Sequence, residues 1–234
     1  MASPIRINRY LALNKFASRR EADRLIEKGQ VLINGKPAVL GAIVKEDDKV
    51  TLKLGFKKME RERVYIAFNK PIGIVTHSPE KNQKSIVDIF HYKTPVFPIG
   101  RLDKDSHGLI ILTNDGRVTG RLLDPDSGHE KEYLIETNEP LQTNFLRKMA
   151  KGVRIGDYTT KPCQVKSIGS KKFRIILTEG KKRQIRRMCL ALNHNVADLE
   201  RVRILNISLG GLKPGEHRLI GGKELETLLG KIGL

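Results

Sequence analysis

The chain has 234 residues, 39% of them hydrophobic, which suits one or two packed domains and is too apolar for a disordered tail. Its 44 lysines and arginines against 26 aspartates and glutamates leave a formal charge of +18, which points to a polyanionic partner, nucleic acid ahead of an anionic membrane surface. No apolar run approaches the roughly 20 residues of a spanning helix. Charges at Arg6, Arg9 and Lys15 break any signal-peptide core, and two cysteines with six scattered histidines support neither a disulfide framework nor a zinc site. The expectation is a cytoplasmic protein with no membrane contact, metal or cofactor.

Residues 5–54 read as a small helical unit followed by a hairpin. Ile7, Tyr10 and Leu11 stand at i, i+3 and i+4 and share one face of a helix. A second helix has Ser18 as N-cap with Glu21 three residues on, and Gly29 after its last turn. Its apolar face is Ala22, Leu25 and Ile26. Arg20, Arg24 and Lys28 repeat at four-residue spacing, a basic stripe that is either a solvated face or a nucleic-acid contact. Val31-Leu32-Ile33 runs into Asn34-Gly35, a strong hairpin signal, and Val44 with Val50–Leu52 supplies another strand.

The charged stretch Lys57–Arg63 interrupts the apolar pattern and reads as a linker over 55–63. From 64 to 234, short strands and short helices alternate. Strands are expected at Val64–Phe68, Leu109–Thr113, Lys131–Glu136, Phe173–Leu177 and Ile204–Leu209; helices at Gln142–Ala150, Arg183–Asn193 and Lys223–Gly230. The mixture lacks a strict βαβ rhythm, so the expected class is α+β with a mainly antiparallel sheet.

The familiar phosphate loops and the G-x-S-x-G nucleophile elbow are absent, which removes support for nucleotide-dependent and common hydrolase chemistry. Phe97-Pro98-Ile99-Gly100-Arg101-Leu102-Asp103-Lys104-Asp105-Ser106-His107-Gly108 is a polar loop abutting the apolar run Leu109–Leu112. Its aspartates either cap turns or hold a carboxylate rigidly for chemistry. Arg101 is either a charge partner or a phosphate ligand. Five of the nine residues from Glu179 to Arg187 are basic, at the start of a helix with Ile185, Met188, Cys189 and Leu192 on its apolar face. Positive charge there opposes the helix dipole at a cost of about 0.5 kcal/mol, so an RNA phosphate, an internal carboxylate or both must compensate. In His129-Glu130-Lys131-Glu132-Tyr133-Leu134-Ile135 the tyrosine shares a face with Lys131 and Ile135. It is either a core residue or a platform for a base.

The segment RINRYLALNKFASRREADRLIEKGQVLINGKPA, residues 6–38, resembles the S4 RNA-binding domain. The resemblance places Arg19, Arg20, Arg24, Lys28 and Asn34 near RNA phosphates. GRLDKDSHGLIILTNDG, HEKEYLI and EGKKRQIRRM resemble the three core motifs of the RsuA/RluA-type pseudouridine synthases, and NKPIGIV, residues 69–75, resembles the strand that opens their catalytic domain. An S4 domain ahead of them points to the RsuA, RluB, RluE and RluF branch. FPIGRLDKDS, HEKEYL, RQIRRMC and LERVRILNISL are most similar to the RluF type, which modifies 23S ribosomal RNA.

The resemblance implies that Asp103 is the family's catalytic aspartate and that Tyr133 packs against the target uracil. It implies that Arg186 pairs with the aspartate, that Ile185 lines the base pocket, and that Arg101 inserts into the RNA or holds it after the base flips. Arg183, Gln184 and Arg187 fall in the same basic motif and count among the RNA contacts. Lys181 and Lys182 depart from some members and have no assigned role. RluF-type proteins can carry a basic C-terminal extension, which this sequence does not include, so RNA affinity from such a tail is not expected.

The implied reaction breaks the N1–C1′ bond of a uridine, rotates the base and joins C5 to C1′. Asp103 either attacks C1′ or removes the 2′ proton, and Arg186 keeps it anionic when RNA covers the site. The expected substrate is a 23S rRNA stem-loop, with another rRNA site or a tRNA anticodon loop as alternatives. A catalytically silent RNA-binding or ribosome-assembly protein is the reading from a different class; it has no use for Asp103, Tyr133 and Arg186 together. A monomer is expected.

Overall fold

The computed structural model describes residues 4–14, 16–17, 19–53 and 62–234, with only the backbone of Arg20, and the chain divides into two compact units, Met1–Arg63 and Val64–Leu234. The expected cap Ser18 and the linker residues 55–61 lie outside the described residues.

The first unit contains β1 (Ile5–Arg6), α1 (Ile7–Leu13), α2 (Arg19–Glu27), β2 (Val31–Ile33), β3 (Lys36–Pro37), β4 (Ile43–Val44) and β5 (Val50–Leu52). Ile7 and Leu11 of α1 and Ala22, Leu25 and Ile26 of α2 close on Val31, Ala38 and Val44 in one core. Asn34 and Gly35 both take positive φ, 51° and 78°, which matches the right-handed twist of the flanking strands. The hairpin then places β2 between β3 and β5.

The second unit runs β6 (Tyr65–Lys70), α3 (Ile86–Ile89), β7 (Phe97–Ile99), β8 (His107–Thr113), α4 (Gly116–Leu122), β9 (Lys131–Thr137), α5 (Phe145–Lys151), β10 (Arg154–Ile155), β11 (Tyr158–Thr159), β12 (Gln164–Ser167), β13 (Lys172–Leu177), α6 (Gln184–Ala191), β14 (Val196–Ile204), β15 (Ile207–Ser208), β16 (His217–Leu219) and α7 (Gly222–Lys231). Its main sheet has the order β12-β13-β9-β14-β8-β6-β16, with β15 on β14 and β7 on β8. Every pair is antiparallel except β8 with β14. This is the mixed, mainly antiparallel α+β architecture read from the sequence.

The two halves of that sheet are built differently. β6 and β8 are buried on both faces. Tyr65, Ala67, Leu109 and Ile111 pack under α4 and α7, while Ile66, Phe68, Ile110 and Leu112 pack against Val64 and Ile86. On β9 and β13 only one face is covered: Tyr133, Ile135, Phe173 and Ile175 meet Phe145 and Met149 of α5 and Ile185 and Met188 of α6. The opposite face carries an ion-pair ladder, with Glu132 to Arg203 at 2.6 Å and to Arg174 at 3.1 Å, and Glu136 to Lys172 at 3.0 Å.

The halves meet where β8 runs parallel to β14. Gly108, with φ of 101°, faces Arg201 there, and an added Cβ would stand 2.4 Å from the Arg201 carbonyl oxygen. Glycine is the residue that permits this approach.

One expected strand is corrected. Ile204–Leu209 is no single strand: β14 ends at Ile204, Leu205 turns the chain with φ of 51°, and Ile207–Ser208 folds back on Arg203 and Ile204. The long strand is instead Val196–Ile204. Register shifts against β9 at Val196/Asp198 and Arg201/Arg203 break its two-residue alternation, and its charged residues serve the open face, so no apolar period marks it. α3 is a single turn and α4 carries Gly116 and Gly120, so neither shows an apolar helical period long enough to mark it. Their starts are nevertheless capped, α3 by a Ser85–Asp88 capping box and α4 by Asp115 accepting from Arg117 N at 3.1 Å.

Candidate active site

The loop between β7 and β8 is pinned on both sides of Asp103. Leu102 is buried in the core that holds Tyr133 and Ile185. The Thr76 hydroxyl donates to the Leu102 carbonyl at 2.8 Å and accepts from its N–H at 3.0 Å. Gly73 N–H donates to the Lys104 carbonyl at 2.8 Å, and Ser106 N–H to the Asp103 carbonyl at 3.1 Å. The NKPIGIV segment and its following threonine thus clamp the loop backbone. The Asp103 side chain remains 38% exposed, a carboxylate held firmly yet open to a ligand.

The compensation demanded by the basic start of α6 comes from inside the protein, from Asp105. Arg183 grips the Asp105 carboxylate bidentately, Nη1 at 3.0 Å and Nη2 at 2.9 Å. These bonds hold the Asp105 carboxyl below the usual carboxylate range, against partial burial, and Arg186 adds to the effect. Arg186 donates to the Asp105 carbonyl at 2.7 Å and the Ser106 hydroxyl at 3.3 Å, and its Nε lies 3.4 Å from the Asp105 carboxylate. The expected Arg186–Asp103 pair is therefore corrected. The turn over 103–106 presents Asp105 to α6, and among the described residues the cation paired with Asp103 is Arg183, at 4.0 Å.

Sequence reasoning missed the buried cations beside this loop. Lys70, at the end of β6, is fully buried and donates to the carbonyls of Pro71 at 2.9 Å and Ile74 at 2.7 Å. Burial pushes its pKa down to about 8; Asp105 opposes the shift, Arg201 reinforces it and Asp103 opposes it. Arg201, 3% exposed, donates to the Leu109 carbonyl at 2.7 Å and the Arg101 carbonyl at 3.4 Å, tying β14 to the loop. A signal was present for Lys70: it ends YIAFNK, a run long enough to be buried on both faces.

Tyr133 stands opposite Arg201 on β14 and Ile175 on β13. Tyr133 is 9% exposed and packs in the same core as Leu102 and Ile185. Asp103, Tyr133 and Ile185 are thus brought to one region from three distant parts of the chain. Arg101 is exposed; burial first, and the Arg101 charge second, lower the pKa of His77.

Gln184 is corrected as an RNA contact. It is 4% exposed, its amide donates to Glu179 at 2.7 Å, and its carbonyl oxygen accepts from Lys181 N–H at 2.9 Å. Glu179 also accepts from Tyr158 and from Lys161 N–H at 3.0 Å, so Gln184 organises the entry to α6 from within. Arg187 is exposed and donates to the Ile155 carbonyl at 2.8 Å. In the first unit Arg19, Arg24 and Lys28 are exposed, while the Arg20 side chain lies outside the described residues. Asn34 is exposed, but its amide donates to Asp48 at 2.7 Å and its oxygen accepts from Lys49 N–H at 2.8 Å, so it is engaged in the hairpin. Among the described residues no group of three or more His, Cys, Asp or Glu is placed to hold a metal ion, and no helix is long and apolar enough to cross a membrane.

Residues 64–191 match the RNA pseudouridylate synthase family and residues 5–50 the S4 domain. The chain is 45% identical over 228 residues to the dual-specificity RNA pseudouridine synthase RluF of Escherichia coli K12, covering 97% of this chain and 79% of that protein. It is 33% identical over 232 residues to the ribosomal large subunit pseudouridine synthase B of Bacillus subtilis, covering 95% of each. A solved pseudouridylate synthase superposes with a TM-score of 0.71 at 28% identity, covering 96% of this chain and 99% of that one. The chain therefore belongs to the RNA pseudouridylate synthase family and is an RluF-like isomerase of RNA uridines.

Proposed function

We propose that Asp103 carries the isomerisation, with Tyr133 stacking on the extruded uracil and Ile185 completing the apolar wall beside it. The observation that carries this reading is the clamp on the Leu102–Lys104 backbone, which holds a 38% exposed carboxylate beside the Tyr133 core. Taking a uridine out of its stack costs a few kcal/mol, and stacking on Tyr133 returns about 1–3 kcal/mol of that. Asp103 then attacks C1′, or takes the 2′ proton, as the N1–C1′ bond breaks; after the base rotates, C5 bonds to C1′ as Asp103 leaves C1′ or returns the 2′ proton, and the C5 proton is lost to solvent while N1 gains one. Arg183 Nη1 lies 4.0 Å from the Asp103 carboxylate, and Arg186 sets the loop through its backbone. Arg101 and Arg187, both exposed, face the RNA backbone.

The substrate is a structured stem-loop of 23S rRNA, read by a catalytic domain over 64–234 and delivered by an S4 domain over 5–54 through the exposed Arg19, Arg24 and Lys28, with 55–63 as the linker. The enzyme works as a cytoplasmic monomer without a cofactor. The E. coli relative is named a dual-specificity enzyme, which favours a second substrate, such as a tRNA anticodon loop.

The test is tritium release from [5-³H]uridine-labelled 23S rRNA and tRNA transcripts, for the wild type and Asp103→Asn. Release by the wild type and none by the variant is expected. Release by Asp103→Asn at the wild-type rate would remove Asp103 from the chemistry.

A further inference from the structure

Ile72 is a large aliphatic side chain left 59% exposed. Single exposed aliphatics are ordinary; the mounting of this one is not. It stands in the turn that follows β6. The fully buried Lys70 closes that turn from beneath through the carbonyls of Pro71 and Ile74. Gly73, with φ of 86°, gives its N–H to the carbonyl of Lys104, next to Asp103. Three residues on, Thr76 locks Leu102. A buried ammonium whose hydrogen bonds go to carbonyls is an expensive brace for a surface turn. Here it fixes the position of an exposed apolar group relative to the loop of Asp103.

Chemistry at C1′ requires the uridine to leave its stack, which opens a gap between the flanking bases. An apolar side chain inserted at a base step stabilises such an unstacked geometry. We propose that Ile72 is an apolar wedge that packs against the bases flanking the target uridine and stabilises the extruded state. This rests on the reading of Asp103 as the catalytic group. Ile72 does no chemistry itself; it lowers the cost of presenting the uridine to the site, so its contribution depends on how strongly that uridine is held in the helix.

The experiment uses the full chain and a synthetic stem-loop around the uridine mapped with the wild type in 23S rRNA. Two versions carry that uridine opposite adenine or opposite an abasic position. Single-turnover tritium release is measured for the wild type, Ile72→Ala, Ile72→Leu and Asp103→Asn, with 2-aminopurine next to the target reporting unstacking. Ile72→Ala should slow the paired substrate by about tenfold, with a weaker 2-aminopurine rise, and the abasic-opposed substrate by less than about twofold. Ile72→Leu should keep most of the wild-type rate. Equal losses on the two RNAs, or no loss on either, would overturn the wedge. Turnover by Asp103→Asn would instead overturn the catalytic assignment beneath it, whatever Ile72 does.

Discussion

The half of the sheet formed by β6 and β8 and the half formed by β9 and β13 solve the same packing problem in opposite ways. In the first, both faces are buried, so the strands are nearly continuous in apolar residues, as in Tyr65–Phe68 and Leu109–Leu112. In the second, one face packs under α5 and α6 and the other lies open with its ladder of Glu132, Arg174, Arg203, Glu136 and Lys172. The difference locates the candidate site. The closed half is rigid enough to anchor the clamped loop, and the covered face of the open half supplies Tyr133 and, through α6, the cations that grip Asp105. The site lies at the seam, where β8 and β14 form the one parallel pair of the main sheet among the described residues.

The most severe way to break this arrangement is at the seam itself. Gly108→Ala puts a Cβ 2.4 Å from the Arg201 carbonyl oxygen, at a φ of 101° that disfavours any side chain. The expected cost is about 3 kcal/mol or more, read as a lower urea midpoint with loss of turnover, because strands carrying both Arg201 and the Asp103 loop are forced apart. A stability within about 0.5 kcal/mol of the wild type would mean that the seam is adaptable.

The closed half makes a prediction about pH. The Lys70 pKa is depressed from an ordinary 10.5 to about 8, so the folded state binds that proton less tightly than the unfolded chain. Between pH 8 and 10.5 the unfolded state holds more protons, and stability from this group rises with pH; below pH 8 the folded state bears the full penalty. Lys70→Met lacks this dependence. The stability of the wild type relative to Lys70→Met should therefore increase from pH 7.5 to pH 10, by on the order of 2–3 kcal/mol, in denaturant titrations at each pH. A difference that is flat with pH would show that Lys70 titrates normally.

The open half should be the most forgiving. Lys172 and Glu136 pair at 3.0 Å with side chains 54% and 40% exposed, so Lys172→Ala should change stability by no more than about 0.5 kcal/mol and leave tritium release unaltered. A larger loss would show that the exposed ladder supports the sheet rather than merely solvating it.

What could be read from the chain before folding follows the same division. The closed strands announce themselves as apolar runs, the Asn34-Gly35 hairpin carries its own turn chemistry, and the α2 and α6 faces keep a helical period. These are local signals, dictated by the side chains of neighbouring residues. β14 was hidden because its register shifts break the alternation and its polar residues belong to an open face. The family motifs also brought Asp103, Tyr133, Ile185 and Arg186 into view, since each lies within a short recognisable run.

Sequence by itself therefore determined the α+β class, the basic character and the RNA-modifying family, and it named the residues of the candidate site. Only the tertiary structure decided how those residues pair. Asp103 and Asp105 are two positions apart in one loop, and nothing in their spacing tells which of them meets the cations of α6. The turn at 103–106 decides it by directing Asp105 to Arg183 and Arg186 and leaving Asp103 open. The burial of Gln184, and of Lys70 beneath the Ile72 turn, was settled in the same way. Charge partners and burial depend on distances between segments far apart in the chain, and those distances exist only once the sheet has closed.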